Sequence, residues 1–257
     1  ILQKRHLIGL QDAIRRVHFP PNDQAIDELQ KVCSDAHRRL VYDEFFFFQL
    51  AMAIRKTEGA LDHGISFRVK GRLLDKFYGM IPFRLTSAQQ RVVAEIERDM
   101  ASTRRMSRLL QGDVGSGKTV VAMAAMITAC ENGYQCAMMS PTEILSEQHY
   151  RTIRAWAEQL GLETALLTGS LKPSAREEVL RGIAGGEIDL IVGTHALIQE
   201  GVNFQKLGFV VIDEQHRFGV VQRAQLRGKG QFPDVLVMTA TPIPRTLAMT
   251  VYGDLDL

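Results

Sequence analysis

The sequence predicts an α/β protein: a mostly parallel β-sheet flanked by helices, preceded by a small helical module. Two observations carry this. Short apolar runs without polar alternation recur from Leu109-Leu110 through Gln135–Met139, Leu166-Leu167, Ile188–Val192 and Phe209–Ile212 to Val235–Met238. Runs of this kind mark strands buried on both faces, as in a parallel sheet with helices on each side. Residues 1–80 have a different texture, with apolar residues at helical spacing. The expected division is therefore a helical module over 1–80 and an α/β domain over 81–257.

In the first module Phe19-Pro20-Pro21-Asn22 signals a turn, and from Asp23 to Lys56 there is neither Pro nor Gly. Ile26, Leu29, Val32, Cys33, Ala36 and Leu40 follow helical spacing, and the apolar density rises from Phe45 to Ile54. Phe45 to Phe48 could form an exposed binding patch, but a run this apolar is expected as core between helices. Glu58 to Gly64 reads as a loop and Val69 to Tyr78 as a short helix.

The second part opens with Phe83-Arg84-Leu85-Thr86-Ser87-Ala88-Gln89-Gln90. Thr86 and Gln89 form a capping-box pattern ahead of Val92, Val93 and Ile96. Gln89 thus has two readings. It caps a helix, or it hydrogen-bonds the edge of an adenine on which Phe83 stacks; the local sequence does not choose.

Residues 107 to 120 carry the strongest signal. An apolar run meets Gly112-Asp113-Val114-Gly115-Ser116-Gly117-Lys118-Thr119, and Val120 to Ala124 continue as a helix. This is G-x-x-x-x-G-K-[ST] in the strand–loop–helix setting of a phosphate-binding loop. The glycines let backbone N–H groups turn inward around a phosphate, and the helix dipole adds positive potential at Gly117 to Thr119. Lys118 is expected on the β- and γ-phosphates of ATP and Thr119 on Mg²⁺.

Strand and helix then alternate. Pro141 to Leu160 reads as a helix entered through Thr142, Ser174 to Ile183 as another, and Arg223 lies in a short helical stretch. Ligands of such sheets sit at the carboxyl ends of the strands. At one such end, Val210-Val211-Ile212 runs into Asp213-Glu214-Gln215-His216. Asp213 is expected to hold the Mg²⁺ shell and Glu214 to orient or deprotonate the attacking water. The plainer alternative is two solvated carboxylates at a strand terminus. His216 has no His or Cys at ligand spacing nearby and reads as a supporting residue. Thr239 and Thr241 follow the last strand. Their hydroxyls bond the carboxylates of Asp213 and Glu214, or they cap a helix starting near Pro244.

Composition narrows the class. A chain of 257 residues can bury a large core, and a net charge of +2 does not by itself point to nucleic acid. The three cysteines, Cys33, Cys130 and Cys136, have no C-x-x-C spacing and suggest free thiols in a reducing cytoplasm. There is no signal peptide and no apolar stretch long enough to span a bilayer, so no membrane partner is expected. The chain starts at Ile1 and not at Met, and is expected to be a piece of a longer protein.

Together these stretches resemble a known family. Gly112 to Thr119, Ser140-Pro141-Thr142-Glu143, Leu167-Thr168-Gly169-Ser170, Gly193-Thr194-His195, Asp213-Glu214-Gln215-His216 and Thr239-Ala240-Thr241 match, in order, the motifs of the first RecA-like domain of superfamily 2 helicases. Phe83 to Gln89, His216-Arg217-Phe218-Gly219-Val220 and Ala240 to Thr246 resemble the bacterial RecG branched-DNA helicases in particular. Residues 17 to 56 resemble the segment that joins the wedge domain of that family to its motor. A duplex translocase of the transcription-repair coupling type is the alternative, although another residue typically stands there in place of Gln215.

The resemblance implies roles for individual positions. Phe83 and Gln89 would bind adenine, and Lys118, Thr119, Asp213 and Glu214 would handle phosphate, Mg²⁺ and water. Ser140, Pro141, Thr142, Gly169, Ser170, Gly193, Thr194 and His195 would line a DNA backbone track through hydroxyls and N–H groups more than through charge. Gln215 and His216 would belong to the same track and coupling set, and Thr239 and Thr241 would link the nucleotide to DNA movement. The implied partners are branched DNA, such as forks and Holliday junctions, together with a second motor domain and a wedge domain, neither of which is recognisable in these residues. Without a second motor half to supply an arginine finger, the isolated piece is expected to be nearly inactive.

Overall fold

The computed structural model describes residues 5–20, 31–61, 64–214, 229–230 and 233–241. Gln215, His216, the helical stretch around Arg223 and the helix expected near Pro244 lie outside the described residues. The chain divides into two compact units, residues 1–57 and 58–257.

The first unit is helical. Helix α1 (Leu10–His18) is followed, after a turn at residues 31–34, by the 27-residue helix α2 (Asp35–Leu61). Ser34 opens α2 by pairing its hydroxyl with the His37 Nδ1, 2.7 Å away. The helix continues into the first part of the stretch that reads as a loop, as far as Leu61, because a single Gly inside a helix costs only about 1 kcal/mol. Core burial of the four phenylalanines is not observed: Phe45, Phe46, Phe47 and Phe48 are 39–65% exposed. The reason is geometric. Four consecutive residues on a helix point about 100° apart, so no single packing surface covers them all.

The second unit contains helices α3 (Arg72–Met80), α4 (Ser87–Met100), α5 (Lys118–Glu131), α6 (Glu143–Leu160) and α7 (Pro173–Gly185). Its strands are β1 (Ser107–Gln111), β2 (Gln135–Met139), β3 (Thr164–Leu167), β4 (Leu190–Gly193), β5 (Leu207–Asp213) and β6 (Asp234–Thr239). All neighbouring strands are parallel, in the order β1-β6-β5-β2-β4-β3.

Alternate residues of each strand enter two separate cores. Cys136, Met138, Phe209, Val211, Leu236 and Met238 face one side, where Phe77 of α3, Ile96 of α4, Met126 of α5 and Ile153 of α6 pack. Ala137, Met139, Val210, Ile212, Val235 and Val237 face the other, against Ile183 of α7 and Leu197. Burial on both faces is why the strands read as unbroken apolar runs. Helix α5 is buried at every residue from Val120 to Cys130, which explains its lack of a polar face. No helix among the described residues is long and apolar enough to cross a membrane.

Candidate nucleotide site and strand-end surface

Every strand of the sheet points its carboxyl end the same way, so the loops that follow them share one edge. The register aligns that edge: Gln111 pairs with Thr239, Met238 with Asp213, Ile212 with Met139, and Met139 and Leu167 with Gly193. Strands β1, β6 and β5 thereby present the 112–119 loop, Thr239 and the Asp213-Glu214 pair side by side. Strands β2, β4 and β3 present residues 140–142, 193–195 and 168–170.

At the first group, the loop after β1 is tied down at both ends. Gly112 N–H donates to the Thr239 carbonyl at 3.2 Å. The Gln89 Nε2 donates to the Ser116 carbonyl at 2.8 Å, while its Oε1 accepts from the Thr86 N–H and the Thr86 hydroxyl accepts from the Gln89 N–H. Gln89 therefore completes the capping box and clamps the loop at once. Gly117 sits at φ +83°, a backbone conformation that favours glycine, and a Cβ there would lie 2.4 Å from the Gln89 Nε2 and push the clamp aside. Lys118 opens α5 and folds its Nζ onto the Gly112 and Asp113 carbonyls, at 2.7 and 2.9 Å. Phe83 is 47% exposed and borders a separate, mostly apolar cavity of about 440 Å³ with Tyr78, Arg84 and Glu97.

A cleft of about 410 Å³ joins the loop to the acidic pair. Its walls include Val114, Gly115, Gly117, Lys118 and Thr119 on one side, and Asp213 and Glu214 on the other. Asp213 is buried; its Oδ1 accepts from the Glu214 N–H at 3.0 Å and its Oδ2 lies 2.8 Å from the His149 Nε2. Glu214 holds a left-handed φ of +51° and donates its N–H also to the Met238 carbonyl. A non-glycine residue in that region is uncommon and costs roughly 1 kcal/mol or more, which the surrounding hydrogen bonds offset. Thr239 and Thr241 pair their hydroxyls with each other at 2.8 Å, and the Thr241 N–H donates to the Thr239 hydroxyl.

The sequence reading missed the wall contributed by α6. Leu145, Gln148, His149 and Thr152 line the cleft at spacings of three and four residues. That stripe is the signal that could have found His149, since such residues share one helix face.

At the second group, Thr142 caps α6 through its hydroxyl, which accepts from the Leu145 N–H. Glu143 takes the Ser170 N–H on its Oε1 at 3.0 Å; the Ser170 hydroxyl and backbone donors hold its carboxyl below the usual range. Thr142, Gly169, Ser170 and His195 are exposed, whereas Ser140 and Thr194 are buried. The Ser140 hydroxyl has no hydrogen-bond partner among the described residues. Gly193 is required by packing: a Cβ would meet the Leu167 carbonyl oxygen at 2.2 Å.

Comparison with known proteins follows the same lines. Over its full length the chain is 54% identical to the ATP-dependent DNA helicase RecG of Synechocystis sp., and over 95% of its length it is 52% identical to that of Bacillus subtilis. It spans 30% and 35% of those relatives, about a third of their length. A solved structure of RecG bound to a three-way DNA junction superposes over 99% of this chain and 33% of its own, with 46% identity and a TM-score of 0.83. The model of the DEAD/DEAH box helicase family matches residues 86–250, a span that holds the loop, the acidic pair and all six strands. The chain belongs to the DEAD/DEAH box helicase family.

Proposed function

We propose that this chain carries the ATP-binding half of the motor of an ATP-dependent DNA helicase that remodels branched DNA, including stalled forks and Holliday junctions. In this reading residues 81–257 form the first motor domain and residues 1–80 lead into it. The observation that carries the proposal is the single cleft walled by the 112–119 loop and the Asp213-Glu214 pair. The relatives named above, and the junction DNA in the solved RecG structure, support branched DNA as the substrate and do not favour the coupling-type translocase.

In this role the inward-turned N–H groups of the loop cradle the phosphates. Lys118 exchanges its two carbonyl partners for phosphate oxygens, and Phe83 and Gln89 hold adenine. Thr119 and Asp213 line the cleft and supply the hydroxyl and the carboxylate that would hold Mg²⁺. Mg²⁺ keeps several waters and takes only one or two carboxylates beside substrate phosphates. When bound it would neutralise charge on the phosphates. Glu214 accepts the proton of the attacking water, and Thr239 with Thr241 senses the change. Residues 140–142, 168–170 and 193–195 bind the DNA backbone, with a second motor domain, a wedge domain and a cytoplasmic setting completing the picture.

The test is unwinding of fork DNA by the complete protein that carries this segment, with Lys118→Ala as control. ATP-dependent strand separation that Lys118→Ala abolishes is the expected result. Unwinding that survives the substitution overturns the reading.

A further inference from the structure

Helix α6 touches both groups of strand ends. Its first residue, Glu143, accepts from Ser170 in the loop after β3, and its second turn brings His149 to the Asp213 carboxylate at the end of β5. Those two strand ends do not meet through the sheet. Strands β5 and β3 are separated by β2 and β4, three inter-strand spacings or about 14 Å. Six residues along α6 span about 9 Å and leave a net angular offset of about 240° after one full turn, so Glu143 and His149 leave the helix in different directions. Between them and its far end α6 is fixed by Ile153, Ala157 and Leu160, all buried in the core. It can therefore act as one rigid piece.

The Asp213 carboxylate is oriented by two donors of different kinds. The Glu214 N–H on Oδ1 comes from the residue that directly follows β5, but the His149 contact on Oδ2 belongs to another element. At 2.8 Å that bond is near its optimum, and a shift of α6 by about 1 Å would break it. A displacement of that size at a reacting centre costs about 100-fold in rate.

We propose that His149 is a positioning residue, and that α6 is the arm through which a DNA backbone held at residues 168–170 sets the orientation of Asp213. This rests on the motor reading above. Coupling then runs both ways, as linkage requires: nucleotide changes DNA affinity by the same factor as DNA changes nucleotide affinity.

The experiment measures the affinity of the complete protein for a three-way junction, with and without a non-hydrolysable ATP analogue and Mg²⁺. Nucleotide is expected to change that affinity by about 5- to 150-fold in the unaltered protein. His149→Leu should bring the factor to within about twofold of one, and His149→Gln, whose amide nitrogen can reach the position of Nε2, should restore it. Retention of the full factor in His149→Leu overturns the inference. Should His149→Leu lower the unfolding midpoint, Glu143→Ala tests the other end of the arm: collapse of the factor supports the inference, and retention overturns it. Lys118→Ala separates the two levels. If it abolishes ATP turnover while His149→Leu keeps the coupling, only the role of α6 is lost; if turnover survives it, the motor reading falls.

Discussion

The two ends of the sheet use similar polar residues in opposite ways. At the amino end, polar side chains close on the backbone of a neighbouring connection. The Gln135 amide donates to the Ile183 and Ile188 carbonyls and accepts from the Lys206 N–H. Asp189 accepts from the Glu163 N–H, and Asp234 accepts from the Met106 N–H on Oδ1, its Oδ2 having no hydrogen-bond partner among the described residues. At the carboxyl end, Asp213 pairs with an imidazole, Thr239 pairs with another hydroxyl, Lys118 rests on the carbonyls of its own loop, and the Ser140 hydroxyl has no partner among the described residues. Bonds to backbone fix how strands start. The contacts of Lys118 can be exchanged for ligand contacts with little loss of stability, so stability and function should separate along the strand axis.

The largest effect tests that separation directly. Lys118→Ala should lower the ATP turnover of the complete protein on the order of 10³-fold, since one preorganised charge at the transferring phosphate is removed. Its urea midpoint should barely move, because only two contacts to carbonyls of its own loop are lost. A large loss of stability would break the comparison.

Gln135→Leu is the counterpart at the other end. It strands two carbonyls and one N–H at a position 5% exposed, and should cost about 2–4 kcal/mol in urea unfolding. Nucleotide affinity should stay within about twofold of the unaltered protein. A selective loss of nucleotide binding would show that the two ends are not independent.

Legibility from the sequence divides along the same axis. The loop at 112–119 and the Asp213-Glu214 strand end were readable because fixed backbone geometry demands fixed residues at fixed spacing. The strands were readable because burial on both faces leaves no alternation. His149 was not. One imidazole on a helix has no local pattern, and its partner lies 64 positions away. The two roles of Gln89 were half readable: the cap is local, but the clamp on the Ser116 carbonyl spans 27 positions. The four phenylalanines misled because composition reports apolarity, whereas burial depends on which way each side chain points.

Asp234 sharpens the amino-end side through pH. Burial pushes its carboxyl up to about 8, against the opposing pull of the Met106 N–H and the Arg105 charge. In the unfolded chain it titrates near 3.9. Between those values the folded state holds a proton that unfolding releases, so stability should fall as pH rises from about 4 to about 8. The slope from this residue is at most about 1.4 kcal/mol per pH unit, and it flattens above pH 8. Asp234→Asn keeps the acceptor for the Met106 N–H and should remove the slope. Urea unfolding at pH 6, 7 and 8 checks it; an unchanged slope in the variant would assign the dependence elsewhere.

The smallest effect falls on Thr142, where the separation should blur, because one hydroxyl would serve both as helix cap and as DNA contact. Its cap bond to the Leu145 N–H is long, at 3.4 Å, so Thr142→Ala should cost only about 0.5 kcal/mol of stability, the low end for a lost cap. Thr142→Asp divides the two roles. Aspartate caps at least as well as threonine and its charge complements the helix dipole, so the unfolding midpoint should hold or rise. The same charge beside a phosphate backbone repels it, so the affinity of the complete protein for junction DNA should fall several-fold, more at low salt than at high. If Thr142→Asp leaves DNA affinity and its salt dependence untouched, residue 142 is a cap alone, and the backbone track must lie nearer Ser170 and His195.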